Sequence, residues 1–344
     1  MGERRLYLDV SAGERRGVVV LDGRPERLLI ARDSDRAQDQ PGARLMGRVR
    51  RVERALATAF IDIGADPDAV LPLTGPAKSL AEGAWVEVEV TAPPWANKGA
   101  VVRLIGEGEG PPRVLRSAKS LTERLQSFAP SEPIVSGREA RNAADDAEFE
   151  VLSVVHSLSS GGTLSIEPTR GLVAMDVDVG PARGDPRRAA ARANAEAIAA
   201  AARLLRLKGL AGPIAMDLAG QGHDGDALKT AAKAAFAPDQ PGVVFGPLSR
   251  FGVWTLALPR RARPISERLL DADGRLSLET RALRLLRLIE REAGPGERVE
   301  ARAEPTVAER AQALAPLLAA VIGGRFTIIA DPTLPLETPV VRPM

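Results

Sequence analysis

The chain has no cysteine and two histidines, and no stretch of it reaches the roughly 20 consecutive apolar residues that span a bilayer. Without thiols, a disulfide framework and a thiolate zinc site are both excluded, and His156 and His223 cannot build a zinc site alone. Any catalytic metal must be held mainly by oxygen. The N-terminal Met1-Gly2-Glu3-Arg4-Arg5 runs into alternating, strand-like sequence with no apolar signal core, so the expected location is the cytoplasm, with no membrane partner. Neither charge sign dominates: 47 Lys and Arg against 45 Asp and Glu leave +2, which makes no global case for a polyanion partner. What is present is a 44% apolar content over 344 residues, enough for two or three domains with real cores.

Distribution says more than the sum. Arg44, Arg48, Arg50, Arg51 and Arg54 cluster in one strand-like region, and Arg183, Arg187, Arg188 and Arg192 gather further along. Just ahead of that second cluster, an apolar stretch ends on acids at Ala174-Met175-Asp176-Val177-Asp178. A second ends at Ile214-Ala215-Met216-Asp217, and an Ala- and Arg-rich helical run lies between the two. An acid at the tip of a buried strand is costly unless something pairs with it. Carboxylates converging from two neighbouring strand ends form an oxygen cage suited to Mg²⁺.

Residues 5–32 read as a three-stranded meander with Asp22-Gly23 as a hairpin turn. Five short strands follow at 45–52, 57–63, 69–73, 85–90 and 99–104, a spacing that suits an OB-type barrel, a frequent platform for single-stranded nucleic acid. A Gly/Glu/Pro linker (106–112) leads to helices at 115–128 and 137–156. From 161 onward strands and helices alternate: strands at 162–167 and 171–176, a helix at 186–208 closed by Gly209, a strand at 213–217, a helix at 224–236, and strands at 242–246 and 251–257. The tail offers helices at 277–293 and 305–322 with strands at 297–303 and 325–330, a small βαβ-like cap. The Ala content of 186–208 makes that helix a matter of propensity more than amphipathicity.

The chain resembles the RNase E/G family of endoribonucleases. Gly47-Arg48-Val49 through Ala59-Phe60-Ile61-Asp62-Ile63-Gly64, with Leu71-Pro72-Leu73 and Asn97-Lys98-Gly99-Ala100, is similar to that family's RNA-binding barrel. Ser160-Gly161-Gly162-Thr163 through Asp178 is similar to its first catalytic strand. Asn194-Ala195-Glu196-Ala197, Leu205 to Gly212 and Ile214 to Asp217 are similar to its helix and second catalytic strand, and Leu248-Ser249-Arg250-Phe251-Gly252 to the next.

The resemblance implies a multidomain α+β fold: an OB-type barrel (41–106) inserted in an RNase H-like element (1–40 and 113–160), then a deoxyribonuclease-I-like α/β catalytic subdomain (161–265) and a small C-terminal α/β domain (266–344). It implies that Asp176 and Asp217, with Asp178 beside them, hold one Mg²⁺, replaceable by Mn²⁺, for hydrolysis of single-stranded RNA to 5′-phosphate products in RNA processing or decay. Arg250 is then expected to stabilise transition-state charge. Phe60 is expected to stack a base, and Lys98, Arg48 and Arg103 to contact the RNA.

Several departures from the family stand in the sequence. The room between barrel and Gly161 does not accommodate the family's pocket for a 5′-monophosphate end, and the paired cysteines that link family subunits through zinc are missing, leaving a monomer or a dimer through another interface. Asp178 replaces a typical Asn, Leu218-Ala219-Gly220 replaces a further acid, Val70 stands for a second stacking Phe, and Thr255 replaces a Glu. His223, in a Gly-rich loop, reads as a solvated loop residue. A competing reading is an RNA-binding accessory protein of the same fold whose nuclease centre has decayed. A third is an unrelated α/β phosphodiesterase with a fused barrel.

Overall fold

The computed structural model describes residues 2–95, 98–181, 185–294 and 296–344. Asp22 and Gly23, both at positive φ, make the tight turn whose twist matches paired antiparallel strands. The meander it belongs to is β1 (Arg4–Ser11), β2 (Glu14–Leu21) and β3 (Arg24–Arg32).

The barrel strands are β4 (Arg44–Glu53), β5 (Thr58–Asp62), β6 (Ala69–Pro72), β7 (Trp85–Ala92) and β8 (Val101–Glu107). Alternation drives them: Ala59, Ile61, Val86, Val88 and Val90 point into one core while Phe60, Asp62 and Glu89 stay outside it. The strands close in the order β4-β5-β6-β8-β7-β4, with β6 and β8 parallel, which is compatible with an OB-type barrel.

The expected linker and helix after the barrel are corrected here. Residues Arg113–Arg116 form β9, and the helix is only α1 (Leu121–Gln126), started by a Ser120/Glu123 capping box. The physical reason is the length of β4. β5 pairs with Arg48 to Glu53 only, so the edge at Arg44 to Met46 is left with unpaired backbone, and β9 fills it. The barrel's sheet therefore continues past the expected limit at 106.

The chain then returns to the meander: β10 (Ile134–Val135) pairs parallel with β1, and α2 (Arg138–Leu152) lies against all three meander strands. Next come β11 (Val155–Ser157), β12 (Thr163–Pro168), β13 (Val173–Asp178), α3 (Pro186–Lys208), β14 (Gly212–Asp217), α4 (Gly225–Ala235), β15 (Val244–Leu248) and β16 (Val253–Leu258). The strands form one sheet in the order β11-β12-β13-β14-β16-β15. Only β13 and β14 run parallel, joined by the α3 crossover.

Helix α3 opens with Asp185 as N-cap and Pro186 in its first turn, and closes at Gly209 in a left-handed conformation. It touches β3 of the meander on one side and β12 and β13 of the six-stranded sheet on the other. A helix held between two sheets buries more than one stripe, which is why small Ala193, Ala197 and Ala201 replace a clean amphipathic pattern. Its core joins Leu28 and Ile30 from the meander to Met175, Ile214, Met216 and Trp254 from the sheet.

The tail comprises α5 (Ser266–Leu269), α6 (Leu278–Glu292), β17 (Val299–Ala303), α7 (Pro305–Ile322), β18 (Phe326–Ala330) and β19 (Val340–Pro343). β17-α7-β18 is the expected parallel βαβ unit, and β19 adds an antiparallel edge that the sequence does not announce. Among the described residues no helix is long and apolar enough to cross a membrane.

Candidate active site

Val173, Met175 and Val177 point into the core, so Ala174, Asp176 and Asp178 point to the other face of β13; on β14 the same alternation turns Ile214 and Met216 inward and Asp217 outward. The parallel register sets Asp176 directly beside Asp217. Neighbouring strands lie about 4.8 Å apart, so the two carboxylates project side by side from one surface. Both are exposed, not buried as the sequence suggested, because the helices cover only the opposite side of the sheet. Ser165 of β12 flanks Asp176, and Val253 of β16 flanks Asp217.

Asp178 lies one full side-chain repeat further along β13, opposite Thr163 on β12, and its carboxylate accepts the Gly180 amide at 2.8 Å. It closes the turn at the strand end and does not join the other two acids: among the described residues no group of three His, Cys, Asp or Glu side chains gathers to hold a metal. The pair itself fits an oxygen-preferring divalent ion. Mg²⁺ takes one or two carboxylates and keeps several waters, and two exposed carboxylates in register supply that donor set with open space for the waters.

Two side chains of α3, the buried Asn194 and the half-buried Glu196, fix the loops around this pair. Asn194, 1% exposed, donates through Nδ2 to the Ala219 carbonyl at 3.0 Å and accepts the Ala219 amide at 2.9 Å, clamping the chain two residues beyond Asp217. Nothing in the residue's identity or spacing marks this role in the sequence. Asn194→Ala leaves both backbone groups without that partner. The expected loss is about 1–3 kcal/mol of stability, read as a lower denaturant midpoint at constant slope.

Two residues further along α3, Glu196 accepts hydrogen bonds from the Ser159 and Ser160 amides and from the Ser159 hydroxyl. Burial pushes its carboxyl upward, but these donors outweigh it and bring the group down from 4.5 to about 2. A depressed carboxyl pKa stabilises the fold above the unfolded value and loses that contribution as pH falls through the folded one. The loop is therefore expected to loosen between pH 4.5 and 2, seen as faster amide exchange at Ser159 and Ser160, and Glu196→Gln should remove that pH dependence. The adjoining glycines are required by proximity: a Cβ on Gly162 would lie 2.0 Å from the Asp178 carbonyl oxygen.

Arg250 and Phe251 sit at the tip of the β15–β16 hairpin, tied by Ser249, whose hydroxyl accepts the Phe251 and Val253 amides at 3.3 and 3.1 Å. The pairing of Val253 with Asp217, and the Leu218 amide donating to the Gly252 carbonyl at 3.3 Å, bring this tip to the acid end of the sheet. The exposed Arg250 guanidinium lies 4.8 Å from the centre of the Phe251 ring, and Phe251 is 75% exposed. Arg187, Arg188 and Arg192, on the first turns of α3, are exposed. Arg183 and Asn97 lie outside the described residues. His223 is not the solvated loop residue expected: its ring packs at Gly252, with Nε2 shielded from water and unpartnered.

On the barrel, Phe60 belongs to the outer surface, half-buried, with the Arg51 guanidinium 4.7 Å from its ring centre and Val70 paired beside it. Arg48 is exposed and lies 5.2 Å from the Trp85 ring centre, while Arg50 is occupied by Asp62 and Asp68. Lys98 is exposed, and its backbone pairs with that of Trp95. Arg103 is exposed two strands from Phe60 and donates to Glu89 at 3.0 Å.

No curated protein matches the sequence. Residues 98–261 match the model of the Ribonuclease E/G family, a stretch that holds every strand of the sheet carrying Asp176 and Asp217. It is through that segment, just under half of the chain, that the protein is similar to the Ribonuclease E/G family.

Proposed function

We propose that the protein is a metal-dependent endoribonuclease that cleaves single-stranded RNA in the cytoplasm to leave 5′-phosphate ends. The observation that carries this reading is the in-register pairing of Asp176 with Asp217 on the uncovered face of the sheet. The match of residues 98–261 to the Ribonuclease E/G family supports the ribonuclease class. We read the domains as an RNase H-like element interrupted by the barrel, a deoxyribonuclease-I-like catalytic unit and a C-terminal α/β cap.

Asp176 and Asp217 would hold one Mg²⁺, or Mn²⁺ in its place. Such an ion supplies charge neutralisation at the phosphoryl oxygens and lowers the pKa of a bound water. Arg250, on the hairpin tip at the same end of the sheet, would stabilise the charge that builds on the scissile phosphate. The exposed arginines of α3 hold the flanking phosphates, and the Phe60–Arg51 surface stacks a base while Arg48 and Lys98 follow the backbone. Arg103 joins them only by giving up Glu89, and Asp178 adds charge near the pair while its own carboxylate serves the turn.

The test is incubation of the full chain with a labelled single-stranded RNA in Mg²⁺ or in EDTA. Cleavage in Mg²⁺ that stops in EDTA supports the enzyme. RNA retention without cleavage in either condition favours the accessory-protein reading, which has Leu218-Ala219-Gly220 in place of a further acid on its side.

A further inference from the structure

A cleft of about 430 Å³ opens between β3, α1, the C-terminal end of α3, the barrel loop at Pro93-Pro94 and the chain following β16. Seven arginines line it. Four have carboxylate partners: Arg36 with Asp39, Arg268 with Asp35, Arg206 with Asp239, and Arg263 with Glu267. The other three, Arg27, Arg124 and Arg261, enter no ion pair among the described residues, so the walls keep an excess of about three positive charges.

The excess is not simply solvated. Nε of Arg27 and of Arg268 is buried with no hydrogen-bond partner among the described residues, whereas Nε of Arg206 lies 3.3 Å from an oxygen of the buried Glu26 carboxylate. Burial pushes the Arg27 and Arg124 guanidinium groups below their ordinary value; Glu26 opposes this at Arg27 and Asp35 at Arg124, while the neighbouring Arg206 and Arg268 add to it. Guanidinium does not shed its proton to escape such a position, so an anion is the remaining way to satisfy it. Planar forks with several N–H donors match the oxygens of a phosphate better than any other common anion. Pro41, Pro93, Pro94 and Ile30 add an apolar wall, and the volume lies in the range that holds a small ligand.

We infer that this cleft is a second phosphate-binding site, taking the phosphate groups of a nucleotide, either free or within an RNA strand. It is separate from the acid pair. Gly209, on its wall, precedes the first residue of β14, whereas Asp217 is the last, and five strand steps of about 3.3 Å place the two ends roughly 17 Å apart.

The test uses binding alone and does not depend on cleavage. The full chain in EDTA is titrated calorimetrically with ADP and, separately, with a ten-residue oligouridylate bearing a 5′-hydroxyl. At least one probe should bind below about 1 mM and weaken about tenfold or more in the Arg27→Gln/Arg124→Gln double variant. Loss with ADP identifies a free nucleotide as ligand, and loss with the oligouridylate alone identifies the RNA strand. Asp217→Asn should leave ADP binding unchanged. Gln40→Glu, which adds negative charge at the cleft lining without touching the buried arginines, should weaken the same probe and serves if the double variant does not fold. Absence of binding by both probes, or affinities within twofold of the parent in the variants, overturns the proposal.

Discussion

Asp217→Asn is expected to abolish RNA cleavage, by about a hundredfold to a thousandfold or more, without moving the thermal unfolding midpoint. The side chain is exposed and nearly isosteric with its replacement, so no core contact is lost. What is lost is one of two adjacent negative charges, and with it half of the donor set for a divalent ion. Asp176→Asn should behave the same way. Because the two acids act as one unit, the double variant should be little worse than either single one. Single-turnover cleavage of a labelled RNA measures all three. Activity within threefold of the parent in either single variant would move the active centre elsewhere.

The second large effect lies in the core. Arg16 is 1% exposed, donates to Glu14 at 2.6 Å and pairs with Glu148 of α2. Arg32 holds the other oxygen of Glu14 at 2.8 Å, and Arg284 of α6 reaches Glu148. One guanidinium thus joins β2 to a helix that the C-terminal unit also grips. Arg16→Met preserves much of the volume but takes from each of two buried carboxylates one of its two arginines, leaving Glu14 to Arg32 and Glu148 to Arg284, and a loss of about 3–5 kcal/mol in denaturant unfolding is expected.

Burial pushes Glu14 and Glu148 up, yet the arginines outweigh it and hold both carboxyls below their ordinary value. In the parent their contribution is present above the unfolded pKa and fades as pH falls through the folded one. In the variant each carboxyl keeps one arginine in place of two and should accept a proton more readily, so the gap between parent and variant should narrow on acidification. A change under about 1 kcal/mol at neutral pH would show the network to be dispensable.

Much of this was legible in the residues. The meander, the five barrel strands, the α3 crossover and the tail βαβ unit each carry alternation or strong capping signals, and the structure forms all of them. β9, β11 and β19 were not legible, because strands of three or four residues carry too few positions to show a period and exist only through the edges they complete. Asp176 and Asp217 announced themselves by ending apolar runs. Their exposure did not, since it depends on which face the helices leave bare. Arg16 sits in a charged stretch of the sequence, and only the packing of α2 against β2, with Arg284 of α6 reaching Glu148, encloses it. His223 and Asn194 were likewise given their surroundings by contacts distant in sequence.

A wall of helices on one side only has a consequence for how such a molecule changes over time. Residues that keep the sheet folded and residues that do its chemistry occupy opposite surfaces of the same strands, alternating one by one. Exchanging Ser165, Thr255 or Ala257 on the bare surface leaves the inward neighbours untouched, so lineages can trial new substrates there at little risk to folding. The acids at the strand ends are the part of that surface where such drift stops.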